Sequence, residues 1–189
     1  MIWILLAVAA MLLSGSLWAW RDYFDGYHQA TVQDGVLYRN GIRSPGQFAT
    51  ALRRVRPKTV VSLVDEQEML KEPFVSELSM CREKGIELVR IPIPLGGWPG
   101  EGQVKAFLDV VRDPARQPVL VHCAQGVRRT GMMVAAYQET VMKFDVARAK
   151  SALLSFGHSQ RTVGDVQRFI DVYDPVQERM TAEFPMSEE

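Results

Sequence analysis

The chain has 189 residues, 47% of them hydrophobic, with 22 Lys and Arg balanced by 22 Asp and Glu. That length buries one core but hardly two, and a net charge of zero excludes a general nucleic-acid binder, which needs a basic excess along its surface. Two cysteines exclude a disulfide framework, and no Cys/His spacing suits a zinc site.

From Ile2 to Trp20 there is no charge, and Ile, Leu, Ala, Val, Met and Trp dominate. Roughly 19 apolar residues cross a hydrocarbon core of about 30 Å. Trp3, Trp18 and Trp20 sit near the two ends as interface anchors, and Arg21 and Asp22 stop the run. Residues 1–20 are therefore expected to form a single-pass transmembrane anchor. A cleaved signal is the alternative, but it lacks a preceding Lys or Arg, and Trp18-Ala19-Trp20 is a poor cleavage site, which leaves Ser14-Gly15-Ser16. A buried core helix ranks last. The charges around Arg21, Asp22 and Asp25 leave the orientation open.

Residues 21–33 read as a polar juxtamembrane linker, 34–175 as the folded domain and 176–189 as a polar tail. Within the domain, Val36–Arg39 is a short strand. Ser44 as N-cap and Pro45 in the first turn lead into a helix over Gln47–Val55. Thr59–Val64 is a buried strand, and Pro73–Lys84 an amphipathic helix ended by Gly85. Ile86–Ile93, Gln103–Val111 and Val119–His122 repeat strand, helix and strand. The helices Thr130–Val141, Val146–Phe156 and Val163–Val172 close the chain. This alternation predicts an α/β fold whose central, mainly parallel sheet is flanked by helices, with ligands beyond the carboxyl ends of the strands.

At such an end lies His122-Cys123-Ala124-Gln125-Gly126-Val127-Arg128-Arg129-Thr130-Gly131. A tight turn between strand and helix directs backbone N–H groups of Ala124 through Arg129 inward, at the positive end of the next helix, and so cradles a phosphate. Gly126 permits the bend, and Gly131 lets the helix begin close to the strand. Amides, helix terminus and Arg129 all favour a Cys123 thiolate, a strong nucleophile. Arg129 offers a planar fork for two phosphoryl oxygens. Thr130 supplies a hydroxyl to the sulfur, and His122 orients the loop. A Walker-type loop is excluded, because no Gly-Lys-Ser or Gly-Lys-Thr ending is present.

Cys123-x5-Arg129-Thr130 preceded by His122 resembles the signature of the cysteine-dependent protein tyrosine and dual-specificity phosphatases. Tyr38-Arg39-Asn40-Gly41 and the order of elements resemble the compact atypical dual-specificity phosphatases of plants and fungi. The resemblance spans roughly Val36 to Tyr173 and implies phosphomonoester hydrolysis through a cysteinyl-phosphate. Arginine and amides then carry the charge that magnesium carries elsewhere, so no metal or other cofactor is expected.

The departure from that family is the general acid, usually an Asp on a loop upstream of the cysteine. No Asp occurs between Asp65 and Asp109, and the corresponding loop, residues 92–102, holds one carboxylate, Glu101. Glu101 is the candidate acid; its alternative is a charge at a helix N-terminus. Asp65, at the end of its strand, is the second candidate. A slow enzyme, or a substrate with a good leaving group, is the remaining possibility.

Around the loop, Arg128 contacts a second phosphate or is simply solvated, with Arg43 and Arg161 as possible companions. His158 and Gln160 lie in a turn that approaches the active site in related enzymes; Gln160 positions water or is a surface residue. Trp98 lines the pocket wall or packs under the 92–102 loop. Cys81 packs in its helix, or protects oxidised Cys123 as a disulfide, as parts of this superfamily do.

The expected partners are a phosphorylated protein first, then a phosphoinositide or inositol phosphate, and a membrane through residues 2–20. A phospho-ligand-binding pseudophosphatase and a rhodanese-like sulfur transferase are the readings from other classes. A thiolate enzyme favours a reducing compartment, hence a cytoplasmic face of the membrane.

Overall fold

The computed structural model describes residues 26–181. The expected membrane anchor over residues 1–20 and the end of the polar tail lie outside them. Among the described residues no helix is long and apolar enough to cross a membrane.

The main sheet comprises β1 (Ala30–Gln33), β2 (Leu37–Gly41), β3 (Thr59–Ser62), β4 (Glu87–Arg90) and β5 (Val119–Cys123), in the spatial order β1-β2-β5-β3-β4. The pairs β2/β5, β5/β3 and β3/β4 are parallel, with Asn40 and Ser62 both level with His122. β1 pairs antiparallel with β2, so the sheet is mixed. Only three residues separate the two strands, with Gly35 at φ 71°, and so short a connection makes a hairpin, not a crossover. The sheet therefore begins inside the stretch read as a linker.

The helices are α1 (Pro45–Val55), α2 (Glu77–Glu83), α3 (Glu101–Arg112), α4 (Arg128–Thr140), α5 (Val146–Ser151) and α6 (Gln160–Val172). Ser44 caps α1 as expected, its side chain accepting from the Gln47 N–H at 3.2 Å. α2 starts four residues later than expected, since residues 73–76 are held in turns by the Lys71 carbonyl, which accepts from Phe74 and Val75. α5 stops at Ser151 instead of reaching Phe156, whose φ of 49°, followed by Gly157 at 79°, is incompatible with a continuing helix. α3 and α4 each begin two residues early, so Glu101 and Arg129 lie in first helical turns.

Every residue of β5 is buried, which places this strand at the centre of two cores. On one face Val121 and Cys123 pack with Phe107, Leu108, Met132, Met133 and Phe169 from α3, α4 and α6. On the other, Leu120 packs with Phe48, Leu52, Phe74 and Cys81 from α1, α2 and the segment before it. Each fully buried Leu or Phe contributes about 1.5–3 kcal/mol, so the strand that carries Cys123 is held from both sides.

Candidate active site

The turn between β5 and α4 is fixed by the end of β2. Gly126 has φ 68°, and a Cβ there would stand 2.5 Å from the Asn40 carbonyl and the Gly41 nitrogen. Three successive turn carbonyls are tied to the outside: Ala124 accepts from Ile42 N–H at 3.0 Å, Gln125 lies 2.7 Å from His28 Nδ1, and Gly126 accepts from Arg39 Nη2 at 2.6 Å. Carbonyls committed outward leave the N–H side of the turn for an anion. Gly126 N–H donates to Cys123 Sγ at 3.1 Å.

Arg129 is 5% exposed. It donates to Glu68 through both terminal nitrogens, Nη1 to Oε2 at 2.5 Å and Nη2 to Oε1 at 3.0 Å, and Nη1 also meets the Ile93 carbonyl at 3.2 Å. Burial opposes its charge, but the Glu68 hydrogen bond and the negative charges at Cys123, Glu68 and Asp65 hold its pKa above the ordinary value. This grip leaves the Nε edge of the guanidinium for phosphoryl oxygens. Arg39 is 2% exposed, and burial pulls its pKa down to about 10 while the charge at Cys123 acts the other way. A second buried arginine is therefore tied to the turn that carries Cys123.

Thr130 is buried in the first turn of α4, and its hydroxyl makes no hydrogen bond to another described residue, which leaves it for the sulfur. His122 is fully buried with its Nε2 3.2 Å from Glu77 Oε1, out of reach of substrate. This is not an ion pair: burial pushes Glu77 up to about 8 and His122 down to about 3, so both are neutral at pH 7. A Cβ added at Gly131 would stand 3.1 Å from Val166 Cγ2, so this glycine makes room for α6.

Arg128 is not a free positive charge. Its Nε donates to Asp165 of α6 at 2.6 Å and its Nη1 to the Gly97 carbonyl at 2.8 Å, which ties the 92–102 loop to the catalytic turn. The same loop is held by Leu95 N–H on Asp65 Oδ2 at 3.2 Å and by Gln103 Nε2 on the Pro92 carbonyl. Trp98 packs under it, 5.7 Å from the Phe169 ring.

Of the two candidate acids, Asp65 accepts from the N–H groups of Glu68 at 2.8 Å and Leu95. Those backbone donors, Glu68 first, with the Arg129 charge, hold its carboxyl below the usual range. A carboxylate so fixed has no proton to donate at neutral pH. Glu101 is exposed in the first turn of α3.

Arg43 joins the loop, its guanidinium 4.0 Å over the Tyr27 ring and 3.4 Å from Gln125 Oε1, which also accepts from Tyr27 OH at 2.7 Å. Arg161 instead lies in a groove with Lys150 and Arg168 between α5 and α6. His158 reaches the loop indirectly, edge-on to His28 at 5.2 Å, and Phe156 stacks on His28 at 4.6 Å. Gln160 is the first residue of α6. Cys81 belongs to the core on the sheet face opposite Cys123, and burial pushes its thiol up to about 12, in keeping with packing rather than redox exchange.

Sequence reasoning gave no site role to Glu68, Glu77 or Asp165, and took Arg39 only as part of the Tyr38-Arg39-Asn40-Gly41 resemblance. Only Glu68 left a local signal: Asp65-x-x-Glu68 after a strand is a reciprocal capping pattern, and Glu68 Oε2 does accept from Asp65 N–H at 2.9 Å.

Comparison with known proteins shows the family and the fold. Residues 49–169 match a family model described as a DSP-PTPase phosphatase fused to NAD+ kinase. The chain is similar to the probable chloroplastic NAD kinase 2 of Oryza sativa subsp. japonica, 31% identical over 87 residues, which are 46% of this chain and 9% of that protein. It is also similar to inositol diphosphatase SIW14 of Saccharomyces cerevisiae, 25% identical over 145 residues, 74% of this chain and 49% of that one. The chain thus spans about half or less of these relatives. Among solved structures, the Siw14 catalytic core superposes with a TM-score of 0.66 at 21% identity, covering 81% of this chain and 88% of that one, which shows a shared fold.

Proposed function

The chain belongs to this family of DSP-PTPase phosphatases, and from that premise we propose that it hydrolyses the diphosphate group of an inositol diphosphate through a cysteinyl-phosphate. The observation that carries the chemistry is the turn itself: Cys123 Sγ against the Gly126 N–H, with the Arg129 fork held by Glu68. In the first step the sulfur attacks the terminal phosphorus, the bond to the bridging oxygen breaks, and that oxygen leaves with its electron pair on the inositol phosphate. Arg129 and the amides hold the equatorial oxygens as charge gathers on them. Water then attacks phosphorus, the S–P bond breaks, and orthophosphate departs while the thiolate is restored.

The choice of a diphosphate follows from the acid. Asp65 is held ionised, and Glu101 stands exposed at a helix start. A leaving phosphate has its second pKa near 6, whereas a tyrosine hydroxyl has one near 10. The anhydride leaving group is stable at neutral pH without a proton, so this site needs no dedicated acid to expel it. The names of the similar inositol diphosphatases support the same class. A protein tyrosine or dual-specificity phosphatase is the second reading, favoured by Glu101, the carboxylate that closes the 92–102 loop.

The test is orthophosphate release by the full chain from a diphosphoinositol substrate, a phosphotyrosine peptide and an aryl phosphate, with chelator present. The diphosphate is expected to exceed the peptide in kcat/KM by about tenfold or more, as one unfavourable proton transfer costs at least that. Cys123→Ser abolishes all three activities, and Glu101→Gln spares the diphosphate. A preference for the peptide, lost in Glu101→Gln, establishes the protein phosphatase instead. Binding of vanadate without turnover establishes the phospho-ligand-binding module.

A further inference from the structure

Beneath the catalytic turn lies a buried polar layer that the chemistry above does not use. Asn40, His122 and Ser62 are level with one another on three neighbouring parallel strands, β2, β5 and β3, one residue before the Cys123 row. Parallel strands in register present level residues to the same face, so these three point away from the Cys123 side of the sheet. Glu77 reaches this layer from α2. Glu77, Ser62 and His122 are each 0% exposed. His122 is further confined by rings, with Phe48 centred 5.8 Å away and Phe74 stacked at 6.5 Å. Glu77 Oε1 and His122 Nε2, 3.2 Å apart, are buried polar atoms with no other partner among the described residues, and their remaining polar neighbours are Ser62 beside Glu77 and the Cys123 main chain beside His122.

We propose that Glu77 is a positioning residue of the catalytic loop: its carboxyl group hydrogen-bonds His122 Nε2, and through the ring and the Cys123 main chain it fixes where the nucleophilic sulfur stands. This inference rests on the phosphatase reading for its kinetic consequences.

The chemistry of the pair sets the proton positions. A protonated Glu77 donates its O–H to Nε2, which places the ring's own proton on Nδ1, the nitrogen left for the Cys123 main chain. An ionised Glu77 would reverse this. It accepts only, so the ring must carry its proton on Nε2, and Nδ1 loses the donor that engages the main chain. A buried acid here is costly, and a leucine would fill the same space without that cost. The groups facing Glu77 are Ser62 from β3, His122 from β5, Arg90 from β4, and Cys81 on α2 itself. Burial is the dominant influence on it and keeps the proton on Glu77 up to about pH 8. The loop is therefore set correctly at neutral pH and loses its register in alkali.

The experiment compares the full chain with Glu77→Gln and Glu77→Leu, reading kcat and KM on an aryl phosphate against pH and the rate of Cys123 alkylation by iodoacetamide. The wild type is expected to lose kcat above about pH 8, with KM steady, as one proton leaves. Gln keeps an N–H donor for Nε2 that does not titrate, so Glu77→Gln is expected to retain kcat within about twofold and to lack the alkaline decline. Glu77→Leu is expected to lower kcat by about tenfold or more with little change in KM, and to change the alkylation rate, since a shift of the sulfur of a fraction of an ångström costs that much.

Persistence of the alkaline limb in Glu77→Gln overturns the proposal, as does a Glu77→Leu protein that matches the wild type in kcat and alkylation. Should Glu77→Leu fail to fold, the pH profile of Glu77→Gln alone decides. If the wild type turns over no phosphate compound, the phosphatase reading fails, and the alkylation profiles still judge the positioning role.

Discussion

Replacing Gly126 by alanine tests whether the catalytic turn depends on its seat against β2. The new Cβ would stand 2.5 Å from three main-chain atoms of Asn40 and Gly41, where an ordinary contact needs 3.4 Å, so the two backbones must separate by 3.4 − 2.5, about 0.9 Å. The residue must also keep φ near 68°, which costs an L-residue roughly 1–2 kcal/mol. A displacement of about 1 Å near reacting atoms costs on the order of a hundredfold in rate. Both the Gly126 N–H bond to Cys123 Sγ and the Arg39 bond to the Gly126 carbonyl lie on the segment that moves. Gly126→Ala is thus expected to lose about 100-fold in kcat/KM and, at 2–4 °C per kcal/mol, roughly 2–8 °C in Tm. Steady-state turnover of an aryl phosphate and a thermal melt measure the two losses. A variant within about threefold of wild-type kcat/KM, melting within a degree of it, refutes the reasoning.

Glu68→Gln removes the charge that grips Arg129 and leaves one acceptor and one donor where there were two acceptors. Since hydrogen bonds to charged groups are worth about 1.5–3 kcal/mol, vanadate affinity and kcat/KM are expected to fall by about 10- to 100-fold; unchanged vanadate inhibition refutes the orienting role. Asp65→Asn is expected to destabilise the fold at neutral pH. The folded-state pKa of Asp65 is depressed, so its contribution is present above the ordinary carboxylate value and is lost as pH falls through the folded one. The Tm gap between wild type and Asp65→Asn closes below about pH 4, and a gap that stays constant on acidification contradicts this. At pH 7 iodoacetamide is expected to label Cys123 and leave Cys81, whose thiol is pushed up to about 12; mass spectrometry of the native chain decides it.

What could be read from residues alone was the chemistry that is local in sequence. Cys123 and Arg129 are six positions apart in one turn, so their spacing already implies a shared phosphate. Ser44 was legible as a cap because its partner is three residues away. The supports of the site are long-range contacts: Arg39 reaches a carbonyl 87 positions on, and Arg129 meets Glu68 across 61. Glu77 looked like any charged position of an amphipathic helix, and only the packing of α2 on the sheet reveals it as buried. β1 was passed over because four residues alternating between half-buried and exposed carry little apolar signal. Arg128 read as an available charge, since nothing local announces Asp165 or the Gly97 carbonyl.

The β1–β2 hairpin and the rings before it set a practical limit on how this protein is cut. A fragment opening at residue 34 would strip β1 and expose the outer N–H and C=O groups of β2, an edge able to pair with the same edge on another molecule. It would also delete Tyr27 and His28, whose contacts steady Gln125. Such a fragment would be prone to aggregate and slack around Cys123, and its poor activity would say nothing about the intact protein. A fragment opening at Gly26 keeps both the shielding strand and the ring stack.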